Sequence, residues 1–289
     1  MRATLAALLA AMLIDPPAWC TAPERVVSLA PSVTETLFAL GAGSEVVGVS
    51  SYDDYPPEAT RLPRVGSFLT PNVEEIAALR PTLVIGLESS SNQREIRALA
   101  SMGYPTMLVE DDSLAQIEHT IRRIGERIGR SEQADSIVGS IEATVADVRA
   151  RLRGVPTRSV VMLVGHQPIV AVGRGTFLDD LLKIAHAENI ADRSGEQWPH
   201  LSLEYIIAMR PDVILDGQMG SDPESPSHFW DAYTIVPAVR EHRVYAYPDD
   251  PTLHPGPRVG ATLQILARLV HPETFADDAA ERAQRGDAR

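Results

Sequence analysis

A single cysteine, Cys20, stands among the 289 residues. Without a second thiol the chain cannot close an internal disulfide, so its fold rests on a buried core. Basic residues are also short: 39 Asp and Glu against 26 Lys and Arg leave a formal net charge of −13. That balance excludes sequence-independent nucleic-acid binding, which needs a cationic face. The signatures of catalysis are missing too. Gly41-x-Gly43 and Gly173-x-Gly175 lack the third glycine of a dinucleotide fingerprint, and no phosphate-binding P-loop occurs. There is no G-x-S-x-G elbow, no HExxH, and no pair of histidines one helical turn apart to clamp a metal. The expectation is a protein that is not an enzyme and holds no metal of its own.

Long apolar runs are confined to the start. Arg2 is followed by the apolar run Leu5 to Ile14, then Asp15-Pro16-Pro17 and small residues to Ala22. This is the pattern of a signal peptide over 1–22 with cleavage after Ala22, and the run is too short to span a bilayer. Lipid attachment at Cys20 is the alternative, in the poor context of Pro17-Ala18-Trp19. The remainder has the composition of a soluble globular chain, 44% hydrophobic and 22% charged, long enough for one large domain or two ordinary ones.

What the chain does contain is an alternation of strand-like and helix-like segments. Strands are expected at 26–30, 46–49, 82–87, 106–109, 159–164, 213–215 and 243–247, and helices at 34–40, 72–79, 95–102, 113–128, 177–184, 203–209 and 258–270. That order implies βαβ units and mostly parallel sheets. Between the halves lies Ser131 to Arg153, whose apolar Ala134, Ile137, Val138, Ile141, Val145, Val148 and Leu152 recur at helical spacing. Ser131 is expected to cap this helix, and Gly154 with Pro156 to stop it. It would form a rigid spine over 131–154, joining an N-terminal lobe at 23–130 to a C-terminal lobe at 155–275, with a tail at 276–289.

One internal repeat supports two matched halves. Glu74-x-Ile76-x-Ala78-x-Arg80-Pro81-x-Leu83-Val84-Ile85 returns as Glu204-x-Ile206-x-Ala208-x-Arg210-Pro211-x-Val213-Ile214-Leu215. Each copy reads as a short helix that ends at a proline and feeds a buried strand. Open α/β sheets bind ligands in the loops beyond the carboxyl ends of their strands. Aromatic and polar candidates in such loops are Tyr52 and Tyr55, Phe68, His166, Trp198 and Asp250. Flat apolar faces with a few polar groups suit a large, partly apolar small molecule.

Four stretches carry a resemblance. Arg25-Val-Val-Ser-Leu-Ala-Pro-Ser-x-Thr-Glu35, Val47-Gly-Val-Ser-Ser-Tyr-Asp-Asp-Tyr-Pro-Pro57, Asn72-Val-Glu-Glu-Ile-x-Ala-Leu-Arg-Pro81 and Gln197-Trp-Pro-x-Leu-Ser-Leu-Glu204 resemble the periplasmic vitamin B12 (cobalamin)-binding proteins of ABC importers. These belong to the helical-backbone superfamily that binds cobalamin, haem and ferric siderophores. The resemblance implies a class III periplasmic binding protein: two Rossmann-like lobes joined by one long helix, exported by the signal peptide and monomeric when free. It implies that the chain binds a corrinoid between the lobes and delivers it to a transmembrane permease dimer. Glu74 and Glu204 match the two glutamates that dock onto permease arginines, one per lobe. Tyr52, Trp198 and Asp250 match ligand-facing positions. Phe68 stands where the cobalamin protein has tryptophan, and His166 where it has an apolar residue. Those departures keep haem and ferric siderophore as alternative cargo, with His166 or Tyr52 as axial ligands, or Arg258 and Arg174 facing an anionic chelate.

Overall fold

Valine, isoleucine and leucine fill the strands of the first half so densely that both faces of its sheet are buried, as parallel sheets require. The computed structural model describes residues 24–89, 91–217, 227–248 and 252–276. The expected signal peptide, Asp250 and the tail beyond Ala276 lie outside the described residues. Strands β1 (Val26–Ser28), β2 (Val46–Gly48), β3 (Leu83–Leu87) and β4 (Thr106–Val109) form one sheet in the order β2-β1-β3-β4. Every pairing in it is parallel. The two-residue period divides its core: Val27 and Val84 pack under α2 (Val73–Ala78) and α3 (Gln93–Ser101), while Val26, Leu83 and Ile85 face the opposite core, shared by α1 (Pro31–Ala39) and α4 (Leu114–Arg127).

The second half builds a five-stranded sheet around β5 (Arg158–His166). Its long course gives β5 two neighbours on one side. Parallel β7 (Ala187–Asn189) pairs with its start, and antiparallel β6 (Ile169–Ala171) with its end. On the other side lie parallel β8 (Val213–Asp216) and β9 (Val244–Ala246). Helices α6 (Phe177–Ile184) and α10 (Val259–Val270) cover one face, and α7 (Leu203–Met209), α8 (Ser227–Trp230) and α9 (Pro237–Arg240) the other. The expected elements are found with ends shifted by at most two residues, except that α1 starts at Pro31, three residues before the expected 34. β6, β7, α8 and α9 are too short to leave a periodic signal and were not anticipated.

The helix between the halves, α5, runs Ser131–Arg151 and so ends before Gly154. Its 21 residues make a rod of about 31 Å at 1.5 Å per residue. Ser131 does not cap it: Arg130 occupies the cap with no side-chain bond, and Ser131 is the first helical residue. Nor is α5 a free-standing strut. Ala134, Val138, Ile141, Val145 and Val148 are buried, while the intervening positions are mostly exposed. That stripe packs on α4 of the first half and α10 of the second, so one apolar core runs along α5 through both halves. Gly125 permits a close approach of α4 to α5. A Cβ built there would lie 2.5 Å from the Cβ of Ala134 and 3.0 Å from the carbonyl oxygen of Arg130.

The repeat is structural as well. Asn72 caps α2 by accepting from the backbone N–H groups of Glu74 and Glu75 at 3.1 and 3.2 Å, and Ser202 caps α7 by accepting from Tyr205 N–H at 3.1 Å. Each helix buries one isoleucine completely, Ile76 or Ile206. Each exits through an arginine in the left-handed region, Arg80 at φ 46° and Arg210 at φ 49°. The proline that follows bars the preceding residue from continuing the helix and turns the chain into β3 or β8.

Candidate functional site

Each short helix of the repeat runs back against its parallel strands, so its first turn lies at the carboxyl edge of its own sheet. Glu74 and Glu204 occupy those first turns and both are exposed. The carboxyl edge of the first sheet is built from the loops after β1, β2, β3 and β4. Tyr52 sits in the loop after β2 with 62% of its surface exposed. The buried Asp53 ties that loop by accepting from Ser50 N–H, and Arg64 donates to the carbonyl oxygens of Ser50 and Asp53 at 2.8 and 2.9 Å. Burial pushes the Asp53 carboxyl up to about 6, the Ser50 and Thr34 hydrogen bonds opposing it only in part. Asp111, beyond β4, is likewise raised to about 6 by burial, though Ser32 donates to it at 2.9 Å.

Phe68 is half-buried against the main core, in a loop joined to that of Tyr52 by Ser51 N–H donating to Gly66 at 2.8 Å. Asn92 anchors the same loop by donating to the carbonyl oxygens of Phe68 and Leu87, both at 3.0 Å. Tyr52 and Phe68 are therefore neighbours by main-chain connection. Tyr55 has another place: its ring covers the Arg258 guanidinium at 3.9 Å.

In the second half β8 pairs with β5 only as far as Leu163, and β5 runs on to His166 before turning back into β6. His166 Nε2 lies 2.5 Å from Oδ1 of Asp216, the last residue of β8 and 1% exposed. The other oxygen, Oδ2, accepts from the indole N–H of Trp230 at 2.8 Å. Phe229 and Trp230 lie against the imidazole, with ring centroids 4.5 and 6.5 Å away. Trp198 stands on the strand-like stretch that pairs along the outer edge of β6, and is 45% exposed. Its neighbours Gln197 and Pro199 accept from Gly173 and Ala171 N–H at 2.8 and 3.0 Å, which fixes that backbone. Asp250 is outside the described residues.

The two halves also meet through a buried ion cluster that the sequence did not announce. Glu35 on α1 is 2% exposed. It accepts two hydrogen bonds from Arg258 at 2.7 Å and a contact from His254 Nδ1 at 2.8 Å. A second link is the Leu114 N–H, at the start of α4, donating to Asp180 of α6 at 3.1 Å. Arg258, expected as a candidate for an anionic chelate, is thus gripped by a carboxylate. So is Arg174, which pairs with both oxygens of Asp192 at 2.9 and 3.0 Å. Below the Glu35 pair a cavity of about 950 Å³ opens between α1, α5 and α10, lined by Phe38, Tyr55, Ile141 and Gln264 among others. None of Tyr52, Phe68, His166 and Trp198 lines it. Among the described residues no cluster of three or more His, Cys, Asp or Glu is arranged to hold a metal ion, and no helix is long and apolar enough to cross a membrane.

Comparison with known proteins agrees with this architecture. A family model described as periplasmic binding protein matches residues 26–251. The chain is 33% identical to the ABC transporter substrate-binding lipoprotein YvrC of Bacillus subtilis, over 88% of this chain and 82% of that one. It is 30% identical to a vitamin B12-binding protein of Salmonella typhimurium, over 80% and 86% of the respective chains. Among solved structures, the apo form of the periplasmic haem-binding protein RhuT from Roseiflexus superposes with a TM-score of 0.76 at 31% identity, covering 87% of this chain and 99% of that one.

Proposed function

The chain belongs to the periplasmic binding protein family of ABC importers, and from that premise we propose that its cargo is a corrinoid, held between the two sheets and handed to a permease dimer. The observation that carries this reading is the disposition of polar groups at the carboxyl edges. The cations an anionic chelate would seek, Arg174 and Arg258, are each paired with a carboxylate. The aromatic faces of Tyr52 and Trp198 stay open for a broad neutral ring. Tyr52, Phe68, His166, Trp198 and Asp250 would form the ligand shell, in keeping with the similarity to vitamin B12-binding proteins.

Haem is the second reading, favoured by the likeness to RhuT. Against it, His166 has its Nε2 committed to Asp216 and offers only Nδ1 to iron. Delivery would follow from Glu74 and Glu204, two exposed carboxylates that can each accept a bidentate guanidinium on a two-fold permease. Export to the periplasm would depend on residues 1–22, and capture with handover makes and breaks no bond.

Titration of the purified protein with cyanocobalamin, haemin and a ferric siderophore, read by tryptophan quenching, tests the cargo. Saturable quenching by cyanocobalamin at micromolar concentration is expected. Its absence overturns the corrinoid assignment, and quenching by haemin alone would establish the second reading.

A further inference from the structure

Asp216 is the buried terminus of a central strand, and a carboxylate in that position must have both oxygens satisfied. It has them: Trp230 Nε1–H donates to Oδ2, and His166 Nε2 lies against Oδ1. A carboxylate only accepts, so the shared proton sits on Nε2. The ring is packed in this setting beside Phe229 at 4.5 Å and edge-on to Trp230 at 6.5 Å. Phe229, Trp230 and Tyr233 brace one another at 5.0 to 6.2 Å. The remaining nitrogen, Nδ1, has no hydrogen-bond partner among the described residues, and the side chain is 14% exposed at the tip of β5, where the strand overruns its sheet.

Resting on the corrinoid reading above, we propose that Asp216 is a positioning residue that holds His166 with a bare Nδ1 lone pair, which accepts a hydrogen bond from an amide N–H on the rim of the bound corrinoid. The chemistry selects among macrocycles. A corrinoid rim bears acetamide and propionamide groups, which donate. A porphyrin rim bears propionates, which at neutral pH only accept and are repelled by the lone pair. His166 thereby becomes a specificity residue whose sign is set by Asp216.

The Asp216→Asn variant inverts that sign. Trp230 must still donate, so it claims the carbonyl oxygen of the new amide and leaves its NH₂ facing His166. Nε2 then has to accept, and the ring proton moves to Nδ1. In ¹⁵N-histidine-labelled full-length protein, ring ¹⁵N shifts at neutral pH are expected to show the Nε2–H tautomer in wild type and the Nδ1–H tautomer in Asp216→Asn. Affinity for cyanocobalamin should fall about tenfold, the worth of one hydrogen bond. Affinity for cobyrinic acid, which has carboxylates in place of the amides, should rise, while His166→Phe should lose the preference between the two. Far-UV circular dichroism confirms folding, and His166→Phe carries the binding test if Asp216→Asn does not fold.

An unchanged preference in folded Asp216→Asn and His166→Phe, or an Nδ1–H tautomer in wild type, overturns the inference while leaving the cargo reading standing. Failure of wild type to bind cyanocobalamin overturns both, and the two failures are thus told apart.

Discussion

Truncating Arg258 to alanine should cost far more than loss of an ordinary ion pair, because it strands Glu35. That carboxylate is 2% exposed and has three donors: two N–H groups of Arg258, both at 2.7 Å, and His254 Nδ1 at 2.8 Å. Arg258→Ala removes two of the three and opens a route for only partial rehydration. At about 1.5–3 kcal/mol per charge-assisted bond the loss is about 3–6 kcal/mol, consistent with the roughly 3–5 kcal/mol found when one partner of a buried pair is removed. Exposed pairs are worth about 0–1 kcal/mol. The double variant Glu35→Gln/Arg258→Met removes both charges and keeps the volume, so it should cost much less than Arg258→Ala alone. Equilibrium urea unfolding followed by tryptophan emission measures all three proteins, the buried Trp230 serving as an internal probe. A cost below about 1 kcal/mol for Arg258→Ala, the range of a solvated pair, would refute the reasoning. So would a double variant as unstable as the single one. Since Glu35 lies on α1 and Arg258 at the start of α10, the same series measures how strongly the halves are tied apart from α5.

Three other outcomes follow from the geometry. Asp53 has its carboxyl raised from 3.8 to about 6, so the folded state binds its proton more tightly than the unfolded state and this residue lowers stability as pH climbs from about 4 to 6. Asp53→Asn should therefore gain on wild type by up to about 3 kcal/mol between pH 4 and 7, and a pH-independent difference in urea midpoints would contradict it. Gly125→Ala drives a methyl into Ala134 at 2.5 Å, so it should destabilise by about 1–3 kcal/mol despite alanine's better helix propensity; a rise in the thermal midpoint would show that α4 and α5 can part freely. Reversing both Glu74 and Glu204 to lysine should abolish importer-dependent uptake while leaving affinity for the cargo unchanged, and uptake at the wild-type rate would remove them from docking.

Much of this was visible in the residues because it is local. The spacing of Ala134, Val138, Ile141, Val145 and Val148 gave α5, and the shared register of Glu74 with Glu204, and of Pro81 with Pro211, gave the matched helix–strand joints. Where the reading fell short, the deciding partner was distant or the element brief. Ser131 has the chemistry of a cap, yet Arg130 occupies the cap of α5, following directly on the close of α4. Tyr55 and Arg258 were both legible as candidates facing a ligand, but the Tyr55 ring covers Arg258, and Arg258 is gripped by Glu35, more than 200 positions away in the chain. His166 was singled out without Asp216, Phe229 or Trp230, the residues that determine what its imidazole can do.

The sequence by itself determined the alternating α/β order, the long amphipathic helix and the duplicated unit, because helical and strand periodicities are properties of neighbouring residues. Only the tertiary structure decided that α5 is half-buried in a core continuous through both halves, and that Glu35 and Asp216 are the buried acids organising arginine, histidine and indole around them. The physical reason is desolvation. A carboxylate withdrawn from water must find donors wherever the fold brings them, and no local pattern records which distant strand or helix will supply them.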